Sequence, residues 1–591
     1  MKKLLMNNWL FVGILFIQLI VIIFSFAYFK QGFHSDELYE YGFANSYDLR
    51  VLESDNNGVS LSNQWNDSNV LLNYISVDKD HRFSYLNIFK HASMDYYNPP
   101  LKLFILHTIC SFFPGVFSRW FSFLINIASF LIIQIFLYLI MKRITNNIPA
   151  SIACICLFGF SAGCFNSMMF LRMYALGMAF GMIFLYFTYV FFDEDNKKDK
   201  IIALIISFIS LFAGAYTLHL FLVYAFPLVL CVCLGYLFYK KIKEVFIYGF
   251  SCLGSVGLSF LAFPKTVSDT MQSSDSYSYS MTKYSDFMQF RIYSFLTTLD
   301  IFGFHTSPYS NPWIKISIAI FLFFAILSIP LIILFRKEIW FRKFLSNTKN
   351  RIKLYFKDIK PNFVFLFACL AATVFVIYIA SIKTSVYIMS IKYTARYVYM
   401  IYPVLCIFTT LAFYYIFSLI ISNKRITVVI MVTLSLFIAS VSQLLNNQPY
   451  LMLHEEKGIS LDKIEEDANC YILLMSNWFI VCFADKLYDT NSYYFTDYSN
   501  YINEIKCFDS VDSNKPLYLI MDCSVIITDE VKKEMEENPD SLYNTVYADV
   551  MIEEDEVLNH YRSLNCVESI DLVGEDNLFE RPIKIFKVNI K

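Results

Sequence analysis

Eleven apolar runs, each close to the roughly 20 residues that a helix needs to cross a bilayer, constrain this chain more than any other feature. They lie at 9 to 29, 117 to 141, 148 to 166, 173 to 192, 201 to 218, 219 to 239, 245 to 263, 313 to 335, 362 to 380, 397 to 421 and 426 to 444. With 57% hydrophobic and 18% aromatic residues in 591, the chain carries more apolar surface than water-soluble cores hide. The expected fold is an α-helical polytopic membrane protein of about 11 transmembrane helices plus re-entrant or interfacial helices. LKLFILHTICSFF (101 to 113) is apolar but short, follows Pro99-Pro100 and ends at Pro114-Gly115, which suits a re-entrant or interfacial helix rather than a span.

Lys and Arg placement then orients the chain, because short loops rich in these residues stay in the cytoplasm. With the N-terminus inside, the cytoplasmic connections are KRITNN (142 to 147), DEDNKKDK (193 to 200), KKIK (240 to 243), the basic stretch 336 to 360 and NKR (423 to 425). Counting 101 to 113 as a twelfth span would turn several of these outward and break the pattern. The first polar loop 30 to 116, the Ser/Tyr-rich loop 264 to 312 and everything after about 445 are then expected outside. Residues 1 to 3 and the run after them resemble a signal peptide, but the run is long and no small-residue cleavage site follows, so it reads as a retained anchor.

The division is therefore a membrane domain over 1 to 445 and a small C-terminal α/β extracytoplasmic domain over 446 to 591. In the tail, the β-rich runs YILLM (471 to 475), WFIVCFAD (478 to 485), PLYLIMD (516 to 522) and IKIFKV (583 to 588) alternate with the helical pattern DEVKKEMEEN (529 to 538). Nine of the 14 cysteines lie in apolar segments and read as small core residues. Cys470, Cys482, Cys507, Cys523 and Cys566 fall in the tail, where one or two disulfides remain open. A net charge of −2 gives no overall field that would point to nucleic acid.

The candidate chemistry clusters at the expected outer interface. Asp36, Glu37 and Glu40 follow the first run, and any loop leaving a membrane can hold acids. MDYYNPPLKLFILH (94 to 107) adds Asp95 and Lys102 at the head of the short helix, with Asn98 as its cap. FLRMYALGMAF (170 to 180) brings Arg172 and Tyr174, AYTLHLFLVYAF (215 to 226) brings His219, and KYTARYVYMIYPVL (392 to 405) brings Tyr393 and Arg396, near Lys383 and Lys392. Taken singly, an interfacial Arg is commonly a snorkelling anchor and a lone His is commonly structural. Together, acids, cations and aromatic rings at one interface suit a site that holds an anionic lipid phosphate and activates a hydroxyl.

These motifs resemble, in order, those of the GT-C superfamily of polytopic glycosyltransferases, in its protein O-mannosyltransferase and aminoarabinose transferase branch. The acid pair, the Pro-Pro helix, Arg-Met-Tyr-Ala-Leu (172 to 176), Tyr-Thr with a nearby His (216 to 219) and Ala-Arg-Tyr leading to Tyr-Pro (395 to 403) carry the likeness, over roughly residues 1 to 445. The resemblance implies transfer of a hexosyl or pentosyl group from a polyprenyl-phosphate donor to a cell-envelope glycan, lipid or protein on the outer face of the plasma membrane. It implies Asp36 and Glu37 as catalytic residues, Lys102, Arg172 and Arg396 as donor-phosphate ligands, and Asp95, Asn98, Tyr174, His219 and Tyr393 as substrate-binding residues. Where family members carry His-Pro-Pro this chain has Asn98-Pro99-Pro100, and Phe170 replaces a family Glu, each removing a possible metal ligand. A divalent metal, if used, would fall to Asp36, Glu37 and Asp95. Two alternatives stay open: a non-catalytic transporter or flippase of lipid-linked sugars, and an inactive homologue acting in envelope assembly through its tail.

Overall fold

The structure is a computed structural model that describes residues 9–30, 32–47, 49, 61–94, 99–265, 346, 360–386, 396–420, 424–445, 461–503, 514–537, 551–578 and 581–591. The expected span at 313 to 335, nearly all of the loop 264 to 312, most of the basic stretch 336 to 360, and Asp95, Asn98, Tyr393, Lys392 and Cys507 lie outside the described residues. Contacts divide the chain into two units: Met1–Ala27, Asp95–Lys102 and Ser122–Tyr450 form one, and Tyr28–Met94, Leu103–Phe121 and Leu451–Lys591 form the other.

The first unit is a helical membrane bundle. Among the described residues, eight helices are long and apolar enough to cross a membrane, or nine if one bent pair counts as a single span. Trp9–Phe29, Arg119–Thr145, Tyr174–Asp193, Leu220–Phe238 and Ile242–Ala262 fall on expected runs, as do Phe363–Ala380, Arg396–Ser418 and Ile426–Gln443. The run at 148 to 166 is instead a bent pair, Ile148–Gly159 and Ala162–Met169, at 56°. The break has a local cause: Ser161 Oγ donates to Phe158 O (2.7 Å), closing the first helix, and accepts from Cys164 N–H (3.2 Å), capping the second. The run at 201 to 218 lies in the helix Lys197–Ala215, whose start Asn196 caps with its side chain and whose first residues are charged. Leu101–Ser111 is a shorter apolar helix, as its length suggested.

Polar groups buried in this bundle join helices, since a lone donor or acceptor in hydrocarbon is costly. Gln18 Nε2 donates to Ile155 O (2.9 Å), and Gln134 Nε2 donates to Gln18 Oε1 (3.1 Å) and Ile155 O (3.2 Å). Gly159 makes room for them: a Cβ there would meet Gln134 Nε2 at 2.2 Å and Gln18 Nε2 at 2.3 Å.

The second unit is built on a six-stranded sheet of order β1-β3-β2-β4-β6-β5. Its strands are β1 (Trp65–Asp67), β2 (Asn469–Leu474), β3 (Ser492–Asp497), β4 (Leu517–Asp522), β5 (Val567–Leu578) and β6 (Arg581–Ile590). β3, β2 and β4 are parallel, and β1, β6 and β5 close the edges antiparallel. β2 and β4 are buried along their whole length, as a central parallel strand must be. The sequence boundary at 445/446 left 30 to 116 with the membrane domain, whereas most of that loop packs in the second unit with the tail. The reason is the sheet: β1 pairs with β3, Asn63 N–H donates to Phe495 O (2.9 Å), and the Ser68 and Thr490 hydroxyls share a hydrogen bond (2.8 Å).

One tail segment departs from its expected form. WFIVCFAD is no strand: Asn477–Phe483 is a 3-10 helix, followed by a single helical turn, Ala484–Leu487. Phe479 to Phe483 are all buried, and a continuous apolar run of this length fits a buried strand or a buried helical turn equally well. Among the described residues, no disulfide joins Cys470, Cys482, Cys523 or Cys566.

Candidate functional site

In the second unit, the acids follow directly from how the Ser35–Asn45 helix begins. The first amide groups of a helix lack internal partners. Here His34 Nδ1 accepts from Asp36 N–H (3.0 Å) and the Glu37 carboxylate accepts from His34 N–H (2.8 Å). Because Nδ1 accepts, the imidazole carries its proton on Nε2.

Glu37 has a second duty. Lys30 Nζ donates to both of its oxygens, at 2.9 and 2.7 Å, and both side chains are fully buried. Glu37 is thereby immobilised, and its oxygens are committed to Lys30 and His34. Asp36, one residue earlier, keeps its side chain 33% exposed, with a carboxylate oxygen 3.9 Å from His34 Nδ1. The acid pair thus separates into a structural carboxylate and an accessible one. Glu37 does not fit a metal, and among the described residues no group of three His, Cys, Asp or Glu is arranged to hold one.

Further groups of the second unit gather here. Tyr39 stacks on Trp478 with ring centres 6.2 Å apart, and Phe117 meets Tyr488 edge-on at 6.4 Å. Between them in sequence stands Asp485, whose carboxyl is pushed up from its ordinary 3.8 to about 6. Loss of surrounding water is the main cause; Lys486, a backbone hydrogen bond and Lys30 oppose it, and the Glu37 charge adds to it. The Tyr39 phenol is likewise raised, foremost by burial, then by Cys482 and Asp36.

Asp485 gives a pH prediction. Its folded-state value lies above the unfolded one, so its protonated form contributes stability that is present in full below about pH 4 and lost as pH rises through 6. Asp485→Asn is expected to stabilise the protein at pH 7.5 by about 2 kcal/mol and to flatten the pH dependence of the melting temperature between 4 and 7. An unchanged melting curve at pH 7.5 would show that Asp485 keeps its water.

In the first unit, the cations meet a clamped turn. Ser122 and Asn126 lie four residues apart on one face of Arg119–Thr145. Asn126 Nδ2 donates to Met168 O (2.8 Å) and Phe170 O (2.9 Å), and Ser122 Oγ donates to Leu171 O (3.2 Å). These carbonyls end the Ala162–Met169 helix, where internal donors run out. Lys102, buried to 1% exposure, donates to Leu171 O (2.5 Å) and Ser122 Oγ (3.0 Å). Its helix begins after the buried Pro99-Pro100, with Leu101 N–H donating to Tyr216 O (3.1 Å).

Arg172, 8% exposed, follows the clamped carbonyl. Tyr174 stacks on Phe170 (5.6 Å) and meets Tyr399 edge-on (6.0 Å). Arg396 lies over the Tyr397 ring (5.3 Å) and donates to its hydroxyl (3.4 Å). His219, half-buried, precedes the Leu220–Phe238 helix without a side-chain capping bond. The structure thus brings Tyr174 and Tyr399 together and gives Lys102 to the turn that carries Arg172.

Sequence reasoning missed Lys30, Ser122, Asn126, Trp478 and Asp485. Ser122 and Asn126 had a readable signal, two polar residues four apart within an apolar span. A cleft of about 450 Å³, lined in part by Lys515, Glu568 and Lys587, lies at the amino end of β4 and includes none of the expected site residues.

No protein-family profile matches the sequence, and no curated protein matches it. Among solved structures, the chain is similar to the crystal structure of ArnT from Cupriavidus metallidurans bound to undecaprenyl phosphate, at 10% identity and a TM-score of 0.46, over 98% of this chain and 97% of that one. The apo state of the same protein aligns at 9% identity and a TM-score of 0.40, over 97% and 98% of the two chains.

Proposed function

We propose that this protein is a membrane glycosyltransferase that passes a sugar from a polyprenyl-phosphate carrier to an acceptor hydroxyl or amine on the outer face of the cell membrane, with the N-terminus cytoplasmic and the tail outside. The observation that carries the reading is the split of the acid pair: Glu37 is locked by Lys30 while Asp36 stays accessible at the head of a capped helix. A general base must be placed rigidly and still reach its substrate.

In this reading Asp36 accepts the acceptor's proton as the acceptor oxygen or nitrogen bonds to the anomeric carbon and the bond to the lipid phosphate breaks. The departing phosphate gains negative charge, and fixed cations lower the barrier most when they already point at that charge. Arg172 and Arg396 take this role, with Tyr174 and His219 against the sugar. Lys102 acts as a positioning residue, holding the Leu171 carbonyl and with it the backbone that presents Arg172.

The donor class is tested by native mass spectrometry of protein purified in mild detergent and given polyprenyl phosphate. Wild type is expected to hold one lipid per chain, Arg172→Ala to lose at least about tenfold in affinity, and Arg172→Lys to keep part of it. Equal binding by wild type and Arg172→Ala would remove Arg172 from the phosphate site.

A further inference from the structure

We infer that the tail carries a second binding site, for a neutral sugar ring, at the carboxyl ends of β2 and β4. This deepens the glycosyltransferase reading, on which it rests for the ring's identity as an unreacting part of the acceptor. β2 and β4 are adjacent and parallel; the chain leaves β2 toward β3 on one side and leaves β4 toward β5 and β6 on the other. In open parallel sheets the crevice opens where adjacent connections depart in opposite directions, and ligands collect there.

The side chains at this crevice suit carbohydrate. Asp522, fully buried at the end of β4, accepts from Met475 N–H (3.2 Å) just past β2 and pairs with Arg581 (3.0 Å) at the start of β6. Arg581 is held by rings as well, 4.3 Å from the centre of Phe479 and 5.6 Å from that of Trp478. Trp478 remains 39% exposed, unusual for an indole with aromatic neighbours on its own segment. Beside it, Asn477 Nδ2 donates to Asp497 (3.3 Å), while Asn477 Oδ1 has no hydrogen-bond partner among the described residues.

The part of the Trp478 indole that stays exposed beside Tyr39 and Arg581 offers apolar surface to the C–H face of a pyranose, and the Asn477 amide oxygen and the Arg581 guanidinium suit hydroxyls at the ring edge. The charge balance selects against anions: Asp522 offsets Arg581, and Asp497 leaves the rim negative, so a phosphate or uronate would be repelled. Asp485 and the Ser35–Asn45 helix belong to the same unit, and Tyr39 of that helix stacks on Trp478, so a ring held here lies beside the Asp36 segment.

The test is saturation-transfer NMR and tryptophan fluorescence on the full-length protein in nanodiscs, with the methyl glycosides of glucose, galactose, mannose and N-acetylglucosamine, and methyl glucuronide as the anionic control. At least one neutral glycoside is expected to bind saturably, the glucuronide not to bind, and Trp478→Ala to weaken binding by at least about tenfold. Asn477→Ala, a smaller change at the rim, carries the same expected direction should Trp478→Ala melt early. Asp36→Asn is expected to bind the glycoside as wild type does, so this result and lipid turnover fail separately. No saturable neutral glycoside, or binding unchanged in both Trp478→Ala and Asn477→Ala, overturns the inference.

Discussion

Replacing Asp36 by Asn is expected to lower sugar transfer by about 10²–10⁴-fold, the range lost with a positioned general base. Asn keeps the size and most of the hydrogen bonding of Asp but cannot take a proton. The cap of the Ser35–Asn45 helix rests on His34 and on the Glu37 carboxylate, so the helix start is expected to survive. The expected signature is kinetic: kcat falls, donor affinity holds, and the melting temperature moves little. Glu37→Gln should divide the other way, losing melting temperature first because its oxygens serve Lys30 and His34.

Lys30→Ala is the second large effect, and it acts on stability. With both partners fully buried, removing the ammonium takes away the cation that holds both Glu37 oxygens in a place water does not reach. Breaking a buried pair from one side costs about 3–5 kcal/mol, far more than an exposed pair is worth. Thermal unfolding in detergent, followed by intrinsic fluorescence, should show an early transition of the second unit. The double variant Lys30→Met, Glu37→Leu should recover part of the loss, since two apolar side chains leave no orphan charge, although the His34 amide loses its acceptor. A Lys30→Ala melting curve equal to wild type would mean that water reaches Glu37.

The membrane spans were legible because a crossing helix needs a long apolar run and nothing else in a sequence looks like one. The bend at Phe160 and Ser161 was not, since the run reads as continuous and the break depends on one hydroxyl. β2, β4 and β6 announced themselves by β-branched and aromatic density, whereas β5 carries Glu568, Asp571, Glu575 and Asp576 along an edge and β1 has only three residues. Within the site, the acid pair stood out, but its division of labour did not. Lys30 reads in sequence as an ordinary charge flanking a span, and only the helical turn that follows swings Glu37 onto it. Trp478 and Asp485 lie far down the chain in an apolar run, and pairings across such a separation leave no periodic trace.

The central claim is tested most directly by measuring free polyprenyl phosphate released by purified wild type and Asp36→Asn in detergent, from a panel of polyprenyl-phosphate sugars with cell-envelope extract as acceptor, read by mass spectrometry. Release by the wild type, with almost none from the variant, is the expected result, and the productive lipid names the donor. Release by neither protein from any donor, or at equal rates by both, contradicts it.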